Sequence, residues 1–351
     1  MRHAALLLSW TIALAALPLL PARAAGPADL TDAARWELAM LGVPAERLAD
    51  LARLPSNPVR LAVVGQGGVS ATLLAPLLAS PDALAYHGCK DPNANTHDTQ
   101  QVRVILELLR PLGVDLRIDV WQPGESFFEV ADAFREASLV ADVVVTYQSF
   151  WGENAAAITA AIRESPRALV ISPYVEFQAR PTSECPQGSA FKPWDPGSIP
   201  HFVTVAPLSK RSGDGAILRP SARDARDSEV ISFVAPSFHA SGPGGTCPAA
   251  SVVVAVACYI YASGSPKPSP AAVIALMRET SRIDAAALTS LPPFTDAASQ
   301  RLAADVKELS SPPDNRPRKL DAPGVLNLKE IHLEIYGRIA GPASGPSPGP
   351  R

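Results

Sequence analysis

From Val59 onward, short runs of consecutive apolar residues alternate with stretches in which apolar residues recur every three or four positions. The short runs read as buried strands: Val59–Val64, Asp115–Val120, Asp142–Thr146, Ala168–Ser172, Phe202–Val205 and Val230–Val234. The stretches between them read as helices over Gln101–Leu109, Ser126–Val140, Ala155–Arg163 and Pro248–Tyr261. Strands rich in β-branched residues, alternating with helices, predict an α/β fold. Its centre is a mostly parallel sheet flanked by helices on both faces. Ahead of this, Leu38, Leu41, Leu48 and Leu51 mark a helical lead-in that Pro55 and Pro58 stop. The run Ala249–Ala262 is the longest later apolar segment, and its length suits a buried core helix better than a bilayer span.

The first residues carry a different pattern. Arg2 and His3 precede an uncharged apolar stretch, Ala4–Leu20, and Ala22 and Ala24 form a small-x-small site. These features predict a secretory signal peptide cleaved near Ala24, and hence a secreted or periplasmic protein without stable membrane insertion. A membrane anchor is the alternative, but Pro18 and Pro21 interrupt the end of the stretch. The expected layout is a signal peptide at 1–24 and a short helical lead-in at 25–57. The main domain follows at 58–339, then a disordered Pro/Gly/Ser tail at 340–351.

Composition narrows the function classes. The 351 residues carry 31 Lys and Arg against 34 Asp and Glu, so there is no basic excess of the kind nucleic-acid binders show. Hydrophobic residues make up 47%, too many for a disordered chain. Four cysteines are too few to build a disulfide scaffold, so the core must come from apolar packing. No cofactor is expected. Gly65-Gln66-Gly67-Gly68 follows an apolar strand, but Ser70 stands where a dinucleotide fingerprint needs its third glycine. His87, Cys89, Asp91 and His97 do not follow a standard zinc spacing, so no metal is expected either.

Three segments, in order, carry a resemblance. Arg60–Val69 is similar to a first strand that ends in a catalytic Asp followed by Gly. Asn95-Thr96-His97-Asp98-Thr99 resembles the block Asn-Ser-His-Gly-Thr. Val234-Ala235-Pro236 and Gly245-Thr246-Cys247-Pro248-Ala249 resemble Val-Ala-Pro-Gly and Gly-Thr-Ser-Met-Ala. Gly324-Val325-Leu326-Asn327 looks like the closing Gly-x-Val-Asn turn. Together these blocks resemble the subtilisin-like serine peptidases (subtilases), a three-layer α/β fold.

The resemblance implies a site with His97 at the base position and Cys247 at the nucleophile position. Gly65 falls at the orienting Asp position and Val175 at the oxyanion Asn position, so both of those groups are lost. Tyr147, Gln148 and Ser149 fall on the substrate-binding wall. On this reading a gap lies behind the imidazole, and a serine mechanism is nearly abolished. The leading expectation is therefore a catalytically inactive homologue that binds a peptide or protein through the former substrate groove. The alternative is a thiol-dependent hydrolase using a Cys247–His97 dyad, because a cysteine beside a histidine at a helix start favours the thiolate. Residual serine-type endopeptidase activity comes third. Cys89 and Cys185, both in Gly/Pro-rich loops of an exported chain, are a candidate disulfide. Cys258 is expected to be a buried core thiol.

Overall fold

The computed structural model describes residues 30–43, 45–53, 57–65, 68–88, 96–123, 127–147, 153–173, 199–207, 232–235, 238–239, 242–243 and 246–281. The proposed signal peptide and tail lie outside them, as do Cys89, Gln148, Ser149, Val175 and Cys185.

Among the described residues, seven strands form the central sheet: β1 (Val59–Val64), β2 (Leu84–His87), β3 (Leu116–Trp121), β4 (Val143–Thr146), β5 (Leu169–Pro173), β6 (Phe202–Pro207) and β7 (Phe233–Ala235). Their spatial order is β2-β3-β1-β4-β5-β6-β7, and each neighbouring pair is parallel. A separate two-stranded antiparallel pair joins β8 (Phe238–His239) to β9 (Gly242–Pro243).

The helices are α1 (Asp32–Met40), α2 (Leu48–Leu51), α3 (Ala71–Leu74), α4 (His97–Leu109), α5 (Phe127–Val140), α6 (Glu153–Arg163), α7 (Thr246–Ser263) and α8 (Pro270–Thr280). A strand alternates its side chains between faces, so each sheet face grows its own core. On β1, Leu61 and Val63 join the core containing α4 and α7, while Ala62 and Val64 join the core containing α5 and α6. The lead-in helices share the first of these cores through Leu38, Leu41, Leu48 and Leu51.

The sheet explains the site's position. β1 has β3 on one side and β4 on the other, so the connections diverge at β1. At such a switch point the carboxyl ends of the strands open a crevice where open α/β sheets place their chemistry.

α7 is apolar all round because it is enclosed all round. Every residue from Pro248 to Ser263 is buried. Among the described residues it alone is long and apolar enough to cross a membrane, and its burial inside the protein accounts for that character. Pro248 sits in its first turn, where a missing N–H costs no intrahelical bond.

Two ion pairs brace the far parts of the sheet. The buried Asp119 on β3 accepts from Arg60 Nη2 at 2.8 Å and meets His87 Nε2 at 2.9 Å, joining three strands. Lys267 Nζ lies 2.9 Å from Asp142 Oδ2, and that carboxylate also accepts from the Arg60 backbone N–H at 2.9 Å.

Candidate functional site

His97 is the first residue of α4, and the start of that helix is tied to the segment that follows β1. Thr96 caps it by accepting from the Thr99 N–H at 3.2 Å. The Thr96 hydroxyl donates to the Gly68 carbonyl at 2.9 Å. Thr99 Oγ1 in turn accepts from the Ser70 N–H at 2.9 Å. These bonds bring the first turn of α4 to the carboxyl end of β1, where Gly65 follows Val64.

The imidazole of His97 is half exposed, and the side chain of the next residue, Asp98, is buried. Asp98 Oδ1 lies 3.1 Å from His97 Nδ1. A carboxylate there holds a proton on Nδ1 and orients the ring. The side chain of Cys247, on the first turn of α7, lies close enough to the same imidazole to act on its ionisation. The Asp98 bond first, and Cys247 second, push the His97 pKa up to about 10 against the opposing effect of burial. His97 and Cys247 therefore lie together at the carboxyl ends of the strands.

The structure departs from the sequence reading at two residues. With Gly65 at the Asp position, the imidazole was expected to have nothing behind it. Asp98 fills that place. A carbon built as Cβ on Gly65 would stand 3.1 Å from the Asp98 Cγ and closer still to its Oδ2.

The second departure is Tyr147, read as part of the substrate wall. Its side chain is buried, and it continues the Val143 and Val145 face of β4 into the core beneath α4 and α7. The Tyr147 ring stands edge-on to the His97 ring, with centroids 5.9 Å apart and planes at 78°. Its hydroxyl lies 2.8 Å from Ser251 Oγ. Ser251 has acceptors at the Cys247 carbonyl (3.1 Å) and at Gln101 Oε1 (3.3 Å). Ser251 therefore donates to one of these, and Tyr147 donates to Ser251. Burial pushes the Tyr147 phenol up, which keeps it a neutral donor.

Tyr147 thus braces the site from below, linking the underside of His97 to the turn that carries Cys247. The period-2 alternation along β4 carries this signal: residue 147 has the parity of 143 and 145. Tyr147→Phe should cost about 1 kcal/mol of stability in chemical denaturation, because one buried hydrogen bond is lost without leaving a charge. A stability equal to the parent's would remove the brace.

The two described cysteines differ in reach. Cys247 is partly exposed, and Cys258 is fully buried, as expected, with its thiol pushed well up by burial. Brief treatment of the native protein with iodoacetamide should modify Cys247 and spare Cys258 until the chain is denatured. Peptide mapping reads both directly, and early modification of Cys258 would contradict its burial. Among the described residues, no group of three or more His, Cys, Asp or Glu side chains could hold a metal ion.

Comparison with known proteins gives the fold its context. No family model and no curated protein matches the chain. Solved structures do. A lanthipeptide protease is similar with a TM-score of 0.54 and 14% identity, over 89% of this chain and 98% of that one. The subtilase cytotoxin SubAB gives a TM-score of 0.53 and 13% identity, over 86% of this chain and 96% of that one. The epidermin leader peptide processing serine protease from Staphylococcus aureus gives 0.51 and 10%, over 87% and 81%. The fold is subtilisin-like. At these identities the likeness speaks for the fold alone, and the chemistry must be read from this chain's own residues.

Proposed function

We propose that this protein is a thiol-dependent hydrolase of peptide bonds, with Cys247 as nucleophile and His97 as its acid and base. The observation that carries the reading is an imidazole held between a carboxylate and a thiol. Asp98 is on Nδ1, and Cys247 stands beside the same ring and helps to raise its pKa. An inactive groove was the leading expectation because the orienting carboxylate and the oxyanion Asn were both read as lost. Asp98 supplies a carboxylate to the imidazole, while Val175 lies outside the described residues. A peptide substrate agrees with two of the similar structures, which are named for lanthipeptide and leader-peptide proteolysis.

The chemistry follows from the arrangement. Cys247 reacts as the thiolate, paired with the His97 imidazolium whose positive ring Asp98 holds. The sulfur attacks the scissile carbonyl carbon, and the carbonyl π pair moves onto oxygen. Backbone N–H groups of the first α7 turn have no acceptor within the helix and are the donors on offer to that oxyanion. The imidazolium then gives its proton to the departing amine as the C–N bond breaks, leaving a thioester. Water, deprotonated by the now neutral His97, attacks the thioester carbonyl; the sulfur leaves as thiolate, and the imidazolium–thiolate pair is restored.

A thiol-directed peptidyl probe tests this reading. Covalent labelling should map to Cys247, disappear in Cys247→Ala and fall sharply in His97→Ala. A native protein that takes no label and turns over no peptide from a broad library is instead the peptide-binding groove of the earlier expectation.

Export belongs to the same proposal. It rests on the basic start, the apolar stretch Ala4–Leu20 and the Ala22-x-Ala24 site. Mass measurement of the secreted protein should place its N-terminus near Ala25 or Gly26. A secreted protein that retains Met1 would contradict the signal peptide.

A further inference from the structure

We infer that Gly65 and Asp98 are one functional unit: the carboxylate that orients the catalytic histidine has moved from the end of β1 to the first turn of α4. This rests on the reading of His97 as the catalytic acid and base, and makes Asp98 its positioning residue. Two observations meet here. In the sequence, the resembled blocks have Asp at position 65 and Gly at position 98, and this chain has the reverse at both. In the structure, the two positions compete for one volume, since a side chain on Gly65 would run into the Asp98 carboxylate.

The competition has a simple origin. Gly65 has the parity of Leu61 and Val63, whose side chains face the core containing α4 and α7. A side chain at 65 would therefore aim at the α4 start, where Thr96 and Thr99 are bonded to the segment after β1. Asp98 on that turn reaches back to the same point. Gly65 does not have a positive φ, so its backbone suits any residue, and space alone keeps it glycine. An Asp at 65 would start from the place the Asp98 carboxylate now holds, so the Asp98 side chain would have to give up that place.

A plain structural role for Asp98 also exists. An acidic residue in a helix's first turn favours the helix dipole. That role would be indifferent to residue 65 and would leave the imidazole's titration alone. The two roles therefore separate in the ionisation of His97, read by NMR of the imidazole nitrogens and their attached protons.

The parent protein should show His97 titrating near 10. Asp98→Asn and Asp98→Gly should move it down towards the ordinary 6.5. The double exchange Gly65→Asp with Asp98→Gly should move it back up, and should restore reaction of Cys247 with the peptidyl probe lost in Asp98→Gly. Gly65→Ala alone should lower the His97 titration, because the methyl group displaces the carboxylate.

Three results would overturn the inference: a His97 titration unchanged in Asp98→Gly, an exchange variant with His97 no higher than in Asp98→Gly, or an exchange variant that does not fold. The titration needs no turnover. An inactive protein with the predicted His97 shifts would sink the hydrolase and leave the relocated carboxylate standing.

Discussion

Cys247→Ala and His97→Ala should each abolish peptide hydrolysis, and the double variant should be no slower than either single one. A nucleophile and its base act as a unit, so removing one member removes the mechanism, at a cost on the order of 10⁶-fold in rate. Asp98→Asn should cost less, about 10²–10⁴-fold, because it spoils the tautomer and the charge on the ring without removing a reacting group. The pH profile carries the sign of the His97 shift. Its pKa is raised to about 10 by Asp98 and Cys247, so the ring is protonated throughout the neutral range. The leaving amine needs that proton, so the rate should hold through neutral pH and fall as pH rises through about 10. In Asp98→Asn the falling limb should move to lower pH. Stability linkage runs the same way. The imidazolium's contribution is complete below 6.5 and is lost as pH rises towards 10. Steady-state rates across pH, with the folded fraction followed by circular dichroism, separate the two effects. Hydrolysis that survives Cys247→Ala would assign the activity to another group or a contaminant.

The legible parts of the sequence were those where one local pattern decides the outcome. Val59–Val64 is a β-branched run and forms β1 as expected, and α7 was visible as a helix apolar on every side. Several elements were not drawn out, β2 and α8 among them. β2 spans only Leu84–His87 at the edge of the sheet, too short for a period to register. α8 begins at Pro270 behind Ser269, whose hydroxyl accepts from the Ala272 N–H at 3.3 Å. The signal for its start, a capping serine before a proline, lay outside any apolar run.

The site was legible in part for a related reason. His97 and Cys247 sit in short motifs that keep their order, so comparing positions one by one finds them. Asp98 escapes that comparison. Position by position, a missing Asp at 65 and an extra Asp at 98 are two unrelated differences. They become one only when β1 and α4 are brought together, and that contact depends on Thr96, Ser70 and Thr99 in three dimensions. Tyr147 failed differently. Its place after β4 was legible, but its parity with Val143 and Val145 turns it inward, beneath His97, and away from the substrate wall on which it was expected.

The position of Cys247 depends on α7 being the central buried helix, so the harshest test of the architecture is Val254→Asp. Val254 is fully buried, in a helix whose residues from Pro248 onward are all enclosed. An aspartate there has two outcomes. If it ionises, an unpaired charge sits in the core. If it takes up a proton, a polar acid replaces an apolar side chain among neighbours that offer it little. Either costs several kcal/mol, on top of the lost valine packing. A domain has only about 5–15 kcal/mol in hand, so the folded population should collapse. Val254→Ala is the control. It removes two methyl groups without adding a polar one, and should cost about 2 kcal/mol and remain folded. The expected result is soluble, cooperatively unfolding protein for Val254→Ala, and insoluble or molten protein for Val254→Asp, by yield and near-UV circular dichroism. A Val254→Asp protein as stable as the parent would place α7 at the surface. Cys247 would then no longer be held against His97 by a rigid core helix, and the proposed catalytic pair would lose its frame.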